Sequence, residues 1–483
     1  MGQRWGGLCL AGWACWVSAQ DQDMSLPARI ARVENGLRWP VAVRGEAVHA
    51  MALAERMRAL HVPGLGVAVI DGGRIAWARA YGVADAGSGR PLTPDTLFQA
   101  ASISKPVAAV LSLRLAGQGK LDLDEDINRR LRAWKLPGAQ AVTARALLSH
   151  TAGMPAGGVP GYGAAEPLPT LLQVLAGAAP AKPPKAELDH APGPYAYSSL
   201  GYGVLQQYIV DAAGQPFGKL ARDKVFAPLG MRDSLFAVSP PPAMKARVAA
   251  GHALDGSKVD GGWRRFPELA AAGLWSTPGD LARFVIALQR AAAGHGGAFL
   301  SQDQAKALFT PVRKEYGLGF ELDHQGAQPA FHHSGAQDGY QALMFGYVGS
   351  GQGAVIMTNG AGGWPLIEEL MRSIAAEYGW QDYRPLERVA VAADTALYDR
   401  FAGNYLVSNI VLHIERRGDR LYAAGPPLGP DPVELVPAGD HDFFIREKDA
   451  TLHFDANGDA PVQTISFVDG RARPGRRQAS VSK

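Results

Sequence analysis

The sequence has very little cysteine: only Cys9 and Cys15 occur in 483 residues, and both lie near the amino terminus. The rest of the chain therefore has no disulfide, no thiol nucleophile and no cysteine-based metal site. The net charge is only +3 at pH 7, which does not favour nucleic acid or an anionic membrane as the main partner. A hydrophobic content of 47% excludes a disordered chain and allows a large core.

Motifs that mark several common enzyme classes are also missing. There is no G-x-S-x-G elbow, no P-loop, no dinucleotide fingerprint and no H-E-x-x-H zinc motif. His324, His332 and His333 could suggest zinc, but neighbouring histidines on a strand face opposite sides. We therefore expect neither a metal nor another cofactor.

The first 19 residues are predicted to be a secretory signal peptide. Arg4 precedes an apolar stretch that runs to Val17, and Val17-Ser18-Ala19 resembles a cleavage site. This stretch is too short to span a membrane. The alternative is a start codon misassigned upstream of a soluble protein.

The spacing of apolar residues predicts a mixed α/β domain over residues 20–384. A hairpin is expected around Asp71-Gly72-Gly73, because such residues suit a tight turn. A Gly- and Pro-rich segment at 153–194 reads as an irregular rim with one short helix. Further helices are predicted at 46–61, 199–213, 217–226, 278–293 and 363–378, and strands at 317–322, 341–347 and 353–358.

The carboxyl-terminal part, residues 394–483, has a different pattern. Short alternating runs such as "IVLHIE" and "TLHFDA" are separated by turn residues, which predicts a small antiparallel β-barrel or sandwich. The basic tail at 470–483 is expected to be disordered.

The segment "SISKP" at 102–106 contains the strongest chemical signal. Ser102 and Lys105 are three residues apart and share one face of a helix. A serine hydroxyl becomes a nucleophile when a neighbouring base takes its proton, and partial burial can lower the pKa of a lysine enough for that task. Alone, a Ser-x-x-Lys spacing is also common at ordinary helix starts.

Two downstream motifs supply context for this pair. Tyr197-Ser198-Ser199 lies in a turn before a predicted helix, and His333-Ser334-Gly335 leads toward an apolar strand. His150 is interpreted as a structural loop residue because it directly follows a helix. Trp275 and Tyr340 are candidates to line a cleft, although buried core positions are commoner for aromatic residues.

Taken together, these motifs resemble the serine β-lactamase and penicillin-binding-protein superfamily. The resemblance is to the branch of class C β-lactamases, D-alanyl-D-alanine carboxypeptidases, D-aminopeptidases and family VIII esterases, and it covers roughly residues 50–378. It is carried by "LFQAASISKP", "LLSHTAGMP", "PGPYAYSSLGYGVL", "AAAGLWSTPGDLARFV" and "FHHSGAQDGYQALMF". It implies an antiparallel sheet flanked by helices, an all-helical lobe and a site between them.

The resemblance also implies catalytic roles. Ser102 would be the nucleophile, and Lys105 and Tyr197 would share the proton transfers, with the tyrosine anion favoured by the nearby lysine. The backbone N–H groups of Ser102 and Ala336 would form the oxyanion hole.

Two residues depart from the pattern of many relatives. His333 stands where many have lysine, and it would contact the tyrosine or a substrate carboxylate with a charge that titrates near pH ~6.5. Ser199 stands where many class C enzymes have asparagine, so it offers a single hydroxyl for substrate binding. Ser334 and Gly335 are the remaining expected substrate-binding positions.

These features predict a secreted or periplasmic serine hydrolase that forms an acyl-serine on a peptide of D-amino acid type, an amide or an ester. The alternatives are a class C-like β-lactamase and a penicillin-binding sensor without turnover. The substrate is expected to be a small molecule or peptide. The carboxyl-terminal domain resembles a lipocalin-like appendage that covers the cleft or mediates homo-oligomer formation.

Overall fold

The computed structural model describes residues 25–456 and 460–478, without the side chain of Pro430. The predicted signal at 1–19, and with it both cysteines, lies outside these residues. Within them, no helix has the length and apolar character that crossing a bilayer requires.

The helices follow one another along the chain, and side-chain caps define the start of several of them. Thr277 accepts a hydrogen bond at the start of α9, and Pro278 occupies its first turn, where no backbone donor is needed. The helices are α1 (Leu26–Glu34), α2 (Leu53–Ala59), α3 (Ser104–Gly117), α4 (Ala144–Leu148), α5 (Leu171–Ala176), α6 (Ser199–Ala213), α7 (Phe217–Ala221), α8 (Leu269–Ala272), α9 (Pro278–Ala292), α10 (Gln302–Leu308), α11 (Gly363–Tyr378) and α12 (Tyr398–Phe401).

The strands form a central sheet, two small sheets and a barrel. Those before residue 390 are β1 (Val41–Val43), β2 (Gly64–Asp71), β3 (Arg74–Asp85), β4 (Arg90–Pro91), β5 (Phe98–Ala101), β6 (Leu235–Phe236), β7 (Leu274–Ser276), β8 (Glu321–Asp323), β9 (Ala330–Gln337), β10 (Tyr340–Tyr347), β11 (Gly353–Thr358) and β12 (Leu386–Arg388). The later ones are β13 (Gly403–Val407), β14 (Ile410–Arg417), β15 (Arg420–Gly425), β16 (Gly429–Pro437), β17 (Asp442–Ile445), β18 (Ala450–Phe454), β19 (Thr464–Val468) and β20 (Ala472–Arg477).

The central sheet is antiparallel, with the strand order β4-β3-β2-β11-β10-β9-β8. Its inner strands β2, β10 and β11 are buried on both faces because helices cover both. Val67 and Ile356 on one face pack in a cluster with α1, α2 and α11. Ala68 and Val355 on the other face pack with α9 and with the helical lobe that contains α3 to α8. The predicted architecture, an antiparallel sheet flanked by helices with a helical lobe, is confirmed.

Two local predictions in this domain are wrong. The helix predicted at 46–61 covers only Leu53–Ala59, because the backbone of Met51 pairs with Leu37 instead. The strand predicted at 317–322 is limited to Glu321–Asp323. Gly319 precedes it with φ +80°, where a Cβ would lie 2.6 Å from the Ala109 side chain.

The carboxyl-terminal strands β13 to β20 close into an eight-stranded antiparallel barrel, which confirms the barrel and excludes the sandwich. Its interior is filled by apolar side chains, among them Phe401, Tyr405, Phe443 and Phe454. The interior of the barrel is therefore a packed core, and its likeness to a lipocalin stays a prediction.

The barrel docks on the side of the sheet that carries α2 and α11. Val41 and Val43 of β1 pack against Val436 and Phe444 of the barrel, and β1 pairs in parallel with β12. The helix α3 lies on the other side of the sheet. The division between 384 and 394, and the role of the barrel, stay predictions.

The expectation of a disordered basic tail is wrong for residues 472–477, which form β20 and close the barrel. Arg477 explains why a basic segment is used here. Its guanidinium donates to the carbonyl oxygens of Arg400 and Ala402 at 2.6 and 2.7 Å, and to the Tyr405 hydroxyl at 2.8 Å. A fork of N–H donors is suited to several carbonyl acceptors at once.

We predict that Arg477→Ala destabilises the barrel by about 2–4 kcal/mol, because the carbonyl of Ala402 and the hydroxyl of Tyr405 lose their donor. Hydrogen exchange measured by mass spectrometry should show faster exchange in peptides from β13 and β19 and unchanged exchange in the central sheet. Arg476→Ala is the matched control, since Arg476 is exposed on the same strand. Equal exchange in the two variants would contradict the assignment.

Candidate active site

Ser102 lies in the short connection between β5 and α3. Ala101 directly before it adopts φ +48°, a conformation that non-glycine residues rarely take and that is often found at functional sites. The helix begins two residues later, and the amide of Lys105 donates to the carbonyl of Ser102 at 3.0 Å. Ser102 remains half-exposed, while Ile103, Ser104 and Lys105 are buried.

The second serine of the motif, Ser104, has a structural role. Its hydroxyl donates to the carbonyl of Ala101 at 2.6 Å and accepts from the amide of Leu274 on β7 at 3.0 Å. Ser104 thus holds the turn at Ala101 in place against the neighbouring small sheet. It is not equivalent to Ser102.

Lys105 is fully buried, and its ammonium has two oxygen partners. The Nζ atom lies 2.9 Å from the Ser102 hydroxyl and 3.0 Å from the carbonyl oxygen of Ala271, at the end of α8. Burial lowers the pKa of Lys105 to about 7, while Glu321 opposes this shift. Near neutral pH, a substantial fraction of Lys105 is therefore an uncharged amine beside the serine hydroxyl.

Tyr197 completes a group of three side chains around the serine. Ser102 lies close enough to its hydroxyl to lower its pKa, against the larger effect of burial, and its ring centroid lies 4.9 Å from the Lys105 Nζ. The carbonyl of Tyr197 accepts from the amide of Gly157 at 2.7 Å, which ties it to the rim segment. Burial raises the pKa of Tyr197, so the expected tyrosine anion is wrong for the free protein. Tyr197 is a neutral hydroxyl there.

His150 packs against Tyr197 and bonds to the residue after it, which is the structural role predicted for it. Its Nδ1 accepts the backbone N–H of Ser198 at 3.0 Å, and its ring lies 4.4 Å from the Tyr197 ring. Burial lowers its pKa well below the ordinary value, so the imidazole is neutral. His150 itself adopts φ +58°, directly after α4.

His333 reaches the same group, but in a form that contradicts the expected charge. It is 1% exposed, and burial together with Lys105 lowers its pKa to about 3. Its Nδ1 donates to the Ser334 carbonyl at 2.7 Å, which leaves Nε2 to accept from the Tyr316 hydroxyl at 3.3 Å. The imidazole is neutral across the physiological range, so a positive charge titrating near pH ~6.5 is wrong.

The remaining residues of the β9 motif follow the alternation of the strand. β8 pairs only with residues 330–332, so β9 is an edge strand from His333 onward rather than over its whole length. Ala336 is exposed on this free edge and Ser334 is half-exposed. Gly335 faces β5, where an added Cβ would lie 2.3 Å from the carbonyl oxygen of Ala100. This close approach brings the free edge beside Ser102.

Ser199 is placed less favourably for contact with a substrate. It begins α6 at 3% exposure, and its amide donates to the Gly157 carbonyl at 2.9 Å. Its role in substrate binding, like the catalytic roles of the residues above, stays a prediction.

The pattern of the sequence did not reveal three contributors to this site. Tyr316 contacts His333, Tyr202 lies 5.6 Å from the Lys105 Nζ, and Ala271 supplies a carbonyl. Tyr202 is five residues after Tyr197 in the same motif, which was a usable signal. Tyr316 and Ala271 have no such signal in the sequence. An isolated tyrosine and a backbone carbonyl are recognised as part of a site only once the fold is known.

Other candidates are separated from this group. Trp275 and Tyr340 are core residues, with their polar atoms bonded to the carbonyl oxygens of Ala237 and Ala249. His332 faces the opposite side of β9 from His333 and lies 3.4 Å from Glu321. Across residues 25–456 and 460–478, no three His, Cys, Asp or Glu side chains are grouped so as to hold a metal ion.

A family model described as Beta-lactamase matches residues 50–376, which is more than half of the chain. The chain belongs to the beta-lactamase family. The match begins just before α2 and ends within α11, and it includes Ser102, Lys105, Tyr197 and His333. It does not extend into the barrel.

Individual relatives and solved structures match this chain over different lengths. Penicillin-binding protein 4* of Bacillus subtilis is 25% identical over 469 residues, which are 87% of this chain and 96% of that protein. Esterase EstB of Burkholderia gladioli is 34% identical over 219 residues, 42% of this chain and 53% of that protein. The octameric penicillin-binding protein homologue from Pyrococcus abyssi superimposes with a TM-score of 0.61 at 21% identity, over 88% of this chain and 98% of that one. At this identity the likeness concerns the fold.

We predict that Gly335→Ala lowers kcat/KM by about 100-fold, because the new methyl group must push β9 away from β5 and displace the edge beside Ser102. Gly349→Ala is the control, since a Cβ there has no neighbour within 4 Å. Steady-state kinetics and thermal unfolding of both variants test this. Normal kinetics for Gly335→Ala would show that the close approach is not needed.

Proposed function

We propose that this protein is a secreted or periplasmic serine hydrolase that cleaves amides or esters, including those of D-amino acids, through an acyl intermediate on Ser102. The observation that carries the proposal is the 2.9 Å contact between the Ser102 hydroxyl and the buried amine of Lys105, with a pKa of about 7. A serine beside a base that is partly neutral near pH 7 is an activated nucleophile.

Acylation would proceed by three linked proton transfers. Ser102 Oγ forms a bond to the substrate carbonyl carbon while its proton passes to the neutral amine of Lys105. Collapse of the tetrahedral intermediate breaks the bond to the leaving group, which takes the hydroxyl proton of Tyr197. Lys105 then returns its proton to Tyr197. Water repeats the sequence in reverse on the acyl-serine and releases the acid.

The developing oxyanion would be held by backbone donors. The proposed pair is the N–H of Ser102, just before α3, and the N–H of Ala336, on the free edge of β9. The close approach of Gly335 to Ala100 supports this pairing, because it brings the two segments together.

The charge and shape of the site favour esters and amides over β-lactams. His333 is neutral, so it provides no ammonium for the carboxylate that β-lactams carry. Ser199 is buried and has a short side chain, so it offers little to an acylamido group. The name of the relative EstB supports ester cleavage, and penicillin-binding protein 4* supports acylation by penicillins.

Association of subunits is a further part of this proposal. The barrel lies on the side of the sheet away from α3, which supports a role in contact with a second copy of the chain rather than in covering the cleft. The octameric state named for the Pyrococcus abyssi homologue is in line with such a role.

We predict that Ser102→Ala lowers kcat/KM by more than about 10³-fold for every substrate and leaves the thermal midpoint unchanged within about 2 °C. Ser112→Ala is the matched control, because Ser112 is buried in the same helix and bonds only to the carbonyl of Ala108 in the preceding turn. Ser104→Ala is unsuitable, since Ser104 joins two elements.

The substrates for this test are a nitrophenyl ester, a D-alanyl-D-alanine peptide and a chromogenic cephalosporin, with mass spectrometry of the intact protein. Ester or peptide turnover with a transient adduct on Ser102 supports the proposal. Rapid cephalosporin turnover would replace it with a β-lactamase, and a stable adduct without turnover would replace it with a sensor. Full activity of Ser102→Ala would overturn all three.

The pKa of Lys105 predicts a specific pH profile. Since the neutral amine is the active form, kcat/KM for an uncharged ester should rise about fivefold from pH 6 to 7 and about twofold from pH 7 to 8. A profile that falls over this interval would contradict the neutral amine of Lys105 as the active form. A flat profile would show that Lys105 does not titrate in the free enzyme.

A further inference from the structure

The direction of β9 locates the side of the cleft that would receive the acyl group of a substrate. In the proposed function Tyr197 gives its proton to the leaving group, and its ring lies 6.4 Å from the ring of His333. The leaving group therefore lies toward His333. From there β9 runs past Ala336, the proposed oxyanion donor, to a turn at Asp338. The acyl group, on the opposite side of the carbonyl carbon, points toward Asp338.

Arg264 connects this turn to the strand that leads to the nucleophile. The Nε of Arg264 lies 2.7 Å from the Oδ2 of Asp338. The carbonyl oxygen of Arg264 accepts from the Nε2 of Gln99 at 2.7 Å. Gln99 belongs to β5, three residues before Ser102. The Arg264–Asp338 ion pair is therefore held from both sides of the cleft, by β5 on one side and by the end of β9 on the other.

A third wall of the acyl side is the segment 157–163, called here the rim strap. At its start, the amide of Gly157 donates to the carbonyl of Tyr197 at 2.7 Å. Near its end, Tyr162 and Arg265 each donate a backbone N–H to the carbonyl of the other at 2.9 Å. The rim strap thus runs from the proton-transfer group to the neighbour of Arg264.

Two glycines bring the rim strap against Arg264. A Cβ added to Gly161 would lie 3.0 Å from the Cβ of Arg264, and one added to Gly163 would lie 2.8 Å from its Nη1. Gly161 also adopts φ +65°, a conformation that glycine takes without strain. The side chain of Arg264 therefore reaches from the rim strap to the turn at Asp338, across the far end of the acyl side.

We propose that the Arg264–Asp338 ion pair closes the acyl side of the cleft, so that the enzyme acts on short acyl groups and discriminates against long ones. This inference rests on the proposed function and narrows its substrate class. Two residues of extended chain span at most about 7 Å, so the backbone of Asp338 lies within that distance of Ala336. An acyl chain of more than a few carbons would meet the ion pair and have to displace it.

The exposure of the ion pair indicates that it contributes little to stability. The side chains of Arg264 and Asp338 are 28% and 56% exposed, and water screens a pair of this kind. Variants at either position should therefore fold. The carboxyl groups of Asp260 and Glu166 also lie within 3.5 and 3.7 Å of the Cβ position of Gly163. Arg264 thus keeps anionic neighbours on the side of the rim strap when Asp338 is replaced.

The test uses 4-nitrophenyl acetate, butyrate and hexanoate, which share one leaving group and differ in the length of the acyl chain. The readout is kcat/KM of the hexanoate relative to that of the acetate. Effects of a substitution on Lys105, or on the release of nitrophenol, are common to the three esters and cancel in this ratio.

We expect kcat/KM of the wild-type protein to fall from acetate to hexanoate, with a ratio below about 0.1. Asp338→Ala and Arg264→Ala should each raise this ratio about tenfold. The double variant should raise it no further than the larger single change, because each substitution removes the same closure. Asp399→Ala is the matched control, since Asp399 forms an exposed ion pair at 2.8 Å with Arg416 of the barrel, which is 28% exposed like Arg264. Its ratio should remain that of the wild type.

A ratio that stays at the wild-type value in either Asp338→Ala or Arg264→Ala would overturn the inference. Additive effects of the two changes, or a wild-type protein that prefers the hexanoate, would overturn it as well. Thermal unfolding of each variant confirms that the protein compared is folded. If the wild-type protein forms no acyl adduct on Ser102 with any of the three esters, the proposed function fails instead.

Discussion

Burial of the Lys105 side chain is the constraint on which the rest of the site depends. The difference between its ordinary pKa of 10.5 and about 7 corresponds to roughly 5 kcal/mol in favour of the neutral amine. An amine enclosed in this way needs its hydrogen-bond partners in fixed places, and these are the Ser102 hydroxyl and the Ala271 carbonyl. The position of α8 relative to α3 therefore affects the reactivity of Lys105, because α8 supplies the Ala271 carbonyl that the amine contacts.

The two serines of "SISKP" show which contacts can be predicted from the spacing of residues along the sequence and which cannot. The three-residue interval predicted that Ser102, rather than Ser104, faces Lys105, and the structure places them 2.9 Å apart. The role of Ser104 was not accessible in this way, because its partner Leu274 is 170 residues away. Short-range geometry follows from helical periodicity, whereas a contact between distant segments follows only from the assembled fold.

The same distinction separates the correct predictions from the wrong ones. The hairpin at Asp71, the strands near 341–347 and 353–358 and the carboxyl-terminal barrel were predictable from alternation and turn residues. The charge states of Tyr197 and His333 were not, because both depend on burial that residue type and spacing do not report. The tail around Arg477 was misjudged for a related reason: its charge satisfies carbonyl groups of the barrel instead of facing water.

The neutral state of His333 and the reactivity of Lys105 depend on each other. The two groups share one buried volume, and the charge of Lys105 lowers the pKa of both His333 and His150. A permanent cation at position 333 would act back on Lys105 and lower its pKa further, since the coupling between two charges is mutual. Neutral histidines thus keep the titration of Lys105 near pH 7.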